Sequence, residues 1–144
     1  MDYAGASEAL SAEAIEHLKN SPPCFHYLNG TMVGTQGDDT LVVSFPVKKE
    51  YCNPAGSMQG GFVTAAFDNV FGPLSHLVFK TLTTTVNINT NYHRPIFPGD
   101  TLTIKAWAQT RGRTLTHMLG EAYNSEGKLV ASADCHYMTL PSRE

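Results

Sequence analysis

Basic residues are scarce in this chain. Ten Lys and Arg stand against thirteen Asp and Glu over 144 residues, a formal charge of −3, which argues against nucleic acid as the main partner because phosphates need a concentrated excess of cations. Cysteine is scarcer still. Cys24, Cys52 and Cys135 are odd in number and form no CxxC pair, so they are expected to be reduced, buried thiols rather than a disulfide framework. Neither Cys24 with His26 nor Cys135 with His136 has a zinc spacing, and no metal site is expected. No apolar run reaches the length of a membrane span. The opening "MDYAGASEALSAEAIEHLKN" lacks the basic start and apolar core of a signal peptide, so a cytoplasmic protein without membrane insertion is expected. Charged residues are only 16% of the chain, compatible with surface buried in an oligomer.

The length fits one domain. Leu10, Ala14, Ile15 and Leu18 recur at helical spacing until "NSPP" stops them, so residues 1–22 read as an N-terminal helix and lead-in, and 23–144 as a single domain. From "CFHYL" the pattern turns to strand, and in "TLVVSFPV" Leu41, Val43, Phe45 and Val47 alternate as a half-buried strand does. Residues 48–58 are a loop. Between Gln59 and Lys80 apolar residues cover every side of a helical wheel, the mark of a buried helix, although Pro73 is expected to kink it or to end its first half near Asn69. Strand patterns follow. In residues 82–92, Val86, Ile88, Thr90 and Tyr92 alternate with Thr85, Asn87, Asn89 and Asn91; after the turn "FPGD", residues 101–109 alternate again, and past "RGR" the strand "TLTHMLGEAY", the turn "NSEGK" and "LVASADCHYMTL" complete a meander. The expectation is an α+β domain whose curved antiparallel sheet wraps around a long central helix, with its edges managed by pairing in a two-fold oligomer.

Asp68 stands inside that helix. An unpartnered carboxylate in an apolar setting costs several kcal/mol and tends to take up a proton. Its helical neighbours Gly61, Thr64, Ala65, Phe71 and Gly72 include no base, so it must face a wet cavity or interface, or be reached by another segment. It is either part of a polar notch with Asn69 across a subunit contact or a general base or nucleophile facing a ligand. "QGG" at 59–61 lies at the expected helix start, where free N–H groups point outward and glycine permits close approach. Such a start can serve as an oxyanion hole, and can also be nothing more than a helix start.

Asn53, "QGG" seven residues before Asp68, and the later "NYHRP", "PGD", "RGRTL" and "EGKLVASA" stretches resemble the hotdog-fold acyl-CoA thioesterases of the phenylacetate-pathway and human thioesterase-superfamily-member branch, over residues 25–140. The family pattern is an Asn six residues before "HGG", then an Asp seven residues after the second Gly. The resemblance implies that the Gly60 N–H polarises the thioester carbonyl and that Asp68, supplied by the facing subunit, attacks or activates water. It also implies that Asn53 orients the catalytic groups and that Thr85, with Thr84 as the neighbouring option, positions the water. It implies an acyl-CoA substrate, a homo-oligomer (dimer or dimer of dimers) and no cofactor.

The departure is Gln59, where the family has His. An amide donates and accepts hydrogen bonds but carries no charge near neutral pH, which bears on activity and leaves open an acyl-CoA sensor that does not turn over. A hotdog hydratase is less well matched, since its Asp-and-His loop pattern is absent. Candidates to hold CoA phosphates are His93 with Arg94, and Arg111 with Arg113 around Gly112, each with an alternative as an ordinary turn charge. Gly61 and Met58 join the substrate-binding set, and Met58, Phe62, Phe67 and Leu82 are candidates for the acyl pocket or for core packing. His76, His117 and His136 read as structural or surface residues.

Overall fold

The computed structural model describes residues 22–37 and 39–141; the helix expected before residue 20 lies outside them. The first element is a short helix, α1 (Pro23–Tyr27), where a strand was expected from "CFHYL". Pro23 at the first helical position accounts for the difference, because its fixed φ is already that of a helical turn and its missing N–H is not needed there. Phe25 and Leu28 from this turn are buried in the core.

Strands β1 (Thr31–Gln36) and β2 (Thr40–Pro46) form a hairpin. A 3-10 turn at Lys49–Tyr51 and a loop lead into α2 (Gly60–Phe79). Four strands follow: β3 (Thr83–Tyr92), β4 (Thr101–Arg111), β5 (Leu115–Tyr123) and β6 (Leu129–Thr139). They join β1 and β2 in one antiparallel sheet of order β1-β2-β4-β5-β6-β3. The sheet curves around α2, which packs on β2 through β6. This is the hotdog arrangement expected from the sequence.

Helix α2 has the expected bounds, with Gln59 as N-cap and Lys80 closing it in the left-handed conformation. It does not break at Pro73. Gly72, immediately before the proline, has no Cβ to meet the pyrrolidine ring, and the Ser75 hydroxyl donates to the Gly72 carbonyl at 2.7 Å. Nor is the helix enclosed on all sides. Val63, Ala66, Phe67, Val70, Phe71 and Leu74 form its buried stripe, whereas Ala65, Asp68, Asn69 and Gly72 on another face are half-buried and Gly61 is exposed. No helix among the described residues is long and apolar enough to cross a membrane.

The two sheet edges differ. β1 is six residues long and bulges between Met32 and Gly34, so it offers little to a second strand. β3 is ten residues long, and its Val86 and Tyr92 are 52% and 54% exposed. Against β6 it too carries a bulge, with Val86 the extra residue between Thr85 and Asn87. The even alternation expected over 82–92 is therefore broken there. Thr85 joins Thr90 and Tyr92 on the helix side, and Asn87 turns to the outer face, where its Oδ1 accepts from the His136 backbone N–H.

Helix and sheet approach closely at Gly120 of β5, where a Cβ would lie 3.0 Å from the rings of Phe67 and Phe71. Gly120→Val should overpack this contact and cost about 1–3 kcal/mol, read as a lower urea midpoint with an unchanged slope.

Candidate active site

Asp68 projects from the middle of α2 into the seam between the helix and β3. Two hydroxyls reach it. Thr85 Oγ1 donates to Asp68 Oδ1 at 3.0 Å, and the Tyr137 hydroxyl from β6 donates to the same Oδ1 while lying 3.2 Å from the Asp68 backbone oxygen. The carboxylate thus has partners within its own chain, though none of them is basic. A cavity of about 330 Å³ opens beside it, lined among others by Cys24, Asn69, Gly72, His76 and Leu82. His76, read from the sequence as structural or surface, therefore belongs to this cavity. Burial pushes the Asp68 carboxyl above the ordinary aspartate range, and the Thr85 hydrogen bond partly offsets that rise.

Tyr137 is the site residue that the sequence reading missed. The available signal was its position, since Ala133, Cys135 and Tyr137 alternate onto the inner face of β6, and an inward Tyr needs a buried acceptor. Its neighbour Cys135 is fully buried, with the thiol pKa pushed well up by that burial, so it packs rather than reacts. Cys24, by contrast, is exposed and Cys52 half-buried, which corrects the expectation that all three thiols are buried.

The helix N-terminus makes a second, separate centre. The Gly60 and Gly61 N–H groups meet no acceptor among the described residues, while Phe62 and Val63 already donate to the Gln59 carbonyl. Tyr92 holds this turn. Its hydroxyl donates to the Gly60 carbonyl at 2.7 Å and lies 2.8 Å from Thr64 Oγ1, and its ring would lie 3.0 Å from any Cβ at Gly60. A side chain there would need the exposed Tyr92 ring to give by a few tenths of an ångström. A cavity of about 440 Å³ borders the turn, with Asn53, Met58, Gly60, His93 and Arg94 in its wall.

The remaining candidates fall into place around these centres. The Asn53 Oδ1 accepts from the backbone of Ala55 and Ser57, so its side chain braces the loop before the helix. Gln59 is exposed and makes no cap with its side chain. The His93 ring is 2.8 Å from Ser132 Oγ. The Gly112 N–H donates to the Leu115 carbonyl at 2.7 Å, so what the turn offers a phosphate comes from Arg111 and Arg113. That turn lies by Thr139 at the end of β6, whereas His93 and Arg94 lie by Val130 at its beginning. Of the apolar candidates, Phe67 is core, Phe62 stacks on Tyr51, Leu82 lines the Asp68 cavity and Met58 the other.

Within one chain the two centres do not meet. Asp68 is eight residues beyond Gly60 on α2, about 12 Å along the axis. Residues 55–131, more than half of the chain, match the family model described as the thioesterase superfamily. The chain belongs to the thioesterase superfamily.

Solved structures share its fold. The Escherichia coli PaaI protein from the phenylacetic acid degradation operon is 21% identical, with 93% of this chain and 98% of that one covered at a TM-score of 0.83. A putative thioesterase described as a phenylacetic acid degradation-related protein, from Ralstonia eutropha, is 26% identical, covering 86% and 98% at 0.78. A hypothetical thioesterase from Streptococcus pneumoniae, solved with coenzyme A, is 25% identical, covering 83% and 97% at 0.75. Among curated protein sequences none matches the chain.

The raised Asp68 pKa has a definite sign in stability. The folded state holds the proton more tightly than the unfolded one, so stability falls as pH climbs from the ordinary aspartate range through the raised value. Urea unfolding across that window should show Asp68→Asn more stable than wild type at neutral pH, with the gap closing toward acid.

Proposed function

We propose that this thioesterase-superfamily chain hydrolyses an acyl-CoA thioester at a site that two copies build together. The observation carrying the reading is how β3 spans the helix. Thr85 touches Asp68 at one end of the strand, and Tyr92 touches Gly60 at the other. If the long exposed edge pairs antiparallel with itself about a two-fold near Ile88, the Thr85 half of one β3 lies beside the Tyr92 half of its partner. Asp68 then faces Gly60 of the partner subunit, and the separation along one helix becomes a short gap across two. The same operation brings the Arg111–Arg113 turn of one subunit to the end that carries His93 and Arg94 of the partner subunit, which supports cations for CoA phosphates on both sides of one cleft.

The chemistry follows from these groups. The thioester carbonyl oxygen rests on the N–H of Gly60 at the positive end of α2, where the negative charge of the tetrahedral state is stabilised. Asp68 takes a proton from water as the water oxygen bonds to the carbonyl carbon, or bonds to that carbon itself and is released by water in a second step. The C–S bond breaks and CoA leaves as the thiolate, to be protonated by solvent. Gln59 contributes hydrogen bonding only.

One observation keeps a second reading in play. The exposed, uncapping Gln59 suits a protein that binds acyl-CoA without turning it over. Thiol release from short-chain, long-chain and aromatic acyl-CoAs, by wild type and Asp68→Asn side by side, separates the two. Hydrolysis predicts release by wild type that falls at least about a hundredfold in the mutant, roughly 2.7 kcal/mol of barrier. Binding of acyl-CoA with no release from any substrate overturns it in favour of the sensor.

A further inference from the structure

We infer that Tyr137 is a positioning residue for this reaction: with Thr85 it holds one carboxylate oxygen of Asp68 so that the other, Oδ2, meets the substrate. The inference rests on the hydrolytic reading above and assigns the work to one atom. An aspartate carboxylate rotates broadly about its last torsion, so its two oxygens are equivalent unless the surroundings distinguish them. Here they do. Both hydroxyl donors converge on Oδ1, from Thr85 and from Tyr137, and Oδ2 meets no donor among the described residues.

The two donors differ in stiffness. Tyr137 is 2% exposed and its ring lies against Phe71 with centroids 6.4 Å apart, so its hydroxyl is set by the packed sheet. Thr85 is on the exposed edge strand and is aimed at the helix by the Val86 bulge. Tyr137 also lies within reach of the Asp68 backbone carbonyl, which fixes it against the residue's main chain as well as its side chain. The result is a carboxylate locked on one oxygen and open on the other, facing the cavity. The titratable groups around it are Cys24 of α1, His76 of α2, and Cys135 and Tyr137 of β6; β3 brings only hydroxyls. A hydroxyl donor stabilises the ionised carboxylate and opposes the cost of its burial.

Tyr137→Phe keeps the ring against Phe71 and removes only the donor. The acid limb of kcat/KM should move up by about one pH unit, and kcat should fall about tenfold or more with KM nearly unchanged. Carbon-13 NMR titration of the Asp68 carboxyl should show the same upward shift without any turnover. Thr85→Val acts on the same oxygen from an exposed position, and it should shift the titration in the same direction even if Tyr137→Phe does not fold. An Asp68 titration that stays put in both variants, or a loss of kcat that only tracks a loss of Tm, overturns the inference. A titration that moves while wild type cleaves no thioester sustains the hold on Oδ1 and overturns the hydrolytic reading instead.

Discussion

Everything in this molecule that bears on chemistry depends on one unneutralised carboxylate in the seam between a buried helix and an edge strand. Asp68 cannot be moved toward solvent without unpacking α2, because Phe67 and Phe71 on either side of it are fully buried against the sheet. Among the described residues no cation reaches it. Two hydroxyls do, which keeps it ionisable while burial raises its proton affinity. A carboxylate in that state is well suited to accept a proton or to attack a carbonyl, and poorly suited to a purely structural role.

The same helix supplies the opposite charge preference at its start. Free N–H groups at Gly60 and Gly61 favour an incoming negative charge, and Tyr92 stiffens that turn from the far half of the strand that carries Thr85. One strand therefore braces both the carboxylate and the helix N-terminus, at a distance too great for one substrate carbonyl. The unpaired edge of β3 resolves the mismatch in the proposed assembly, and it connects a feature of folding, an exposed ten-residue edge, to a feature of catalysis.

Much of this was legible in the sequence, and the reasons are local. The all-round apolar run marked α2 to within a residue at each end, because Gln59 and Lys80 bound it. Asp68 and the Gly pair stood out as chemically costly or permissive residues in that run. What could not be read there depended on tertiary contacts or on small steric exceptions. Pro73 failed to break the helix because Gly72 precedes it. "CFHYL" became a helical turn because Pro23 starts one. The Val86 bulge is invisible to an alternation pattern, yet it decides that Thr85 touches Asp68 rather than facing outward. Tyr137 lies 69 residues from Asp68 along the chain, so no spacing argument joins them. The His93–Arg94 pair and the Arg111–Arg113 turn were separate candidates for phosphate in the sequence, and only the fold shows that they lie at opposite ends of β6.

The central claim is that each active site takes its carboxylate from one subunit and its oxyanion donor from another, and subunit mixing tests it most directly. Gly60→Pro removes the N–H at a first helical position that suits proline, with the exposed Tyr92 ring shifting by a few tenths of an ångström to admit the new side chain, and Asp68→Asn removes the carboxylate; each variant alone should be nearly inactive. After co-refolding the two in equal amounts, half of the dimers are mixed and each mixed dimer holds one intact site, so thioesterase activity should return to about a quarter of wild type. Activity that stays at the level of the separate variants, with mixed dimers present by mass, would contradict a shared site and return both groups to a single chain.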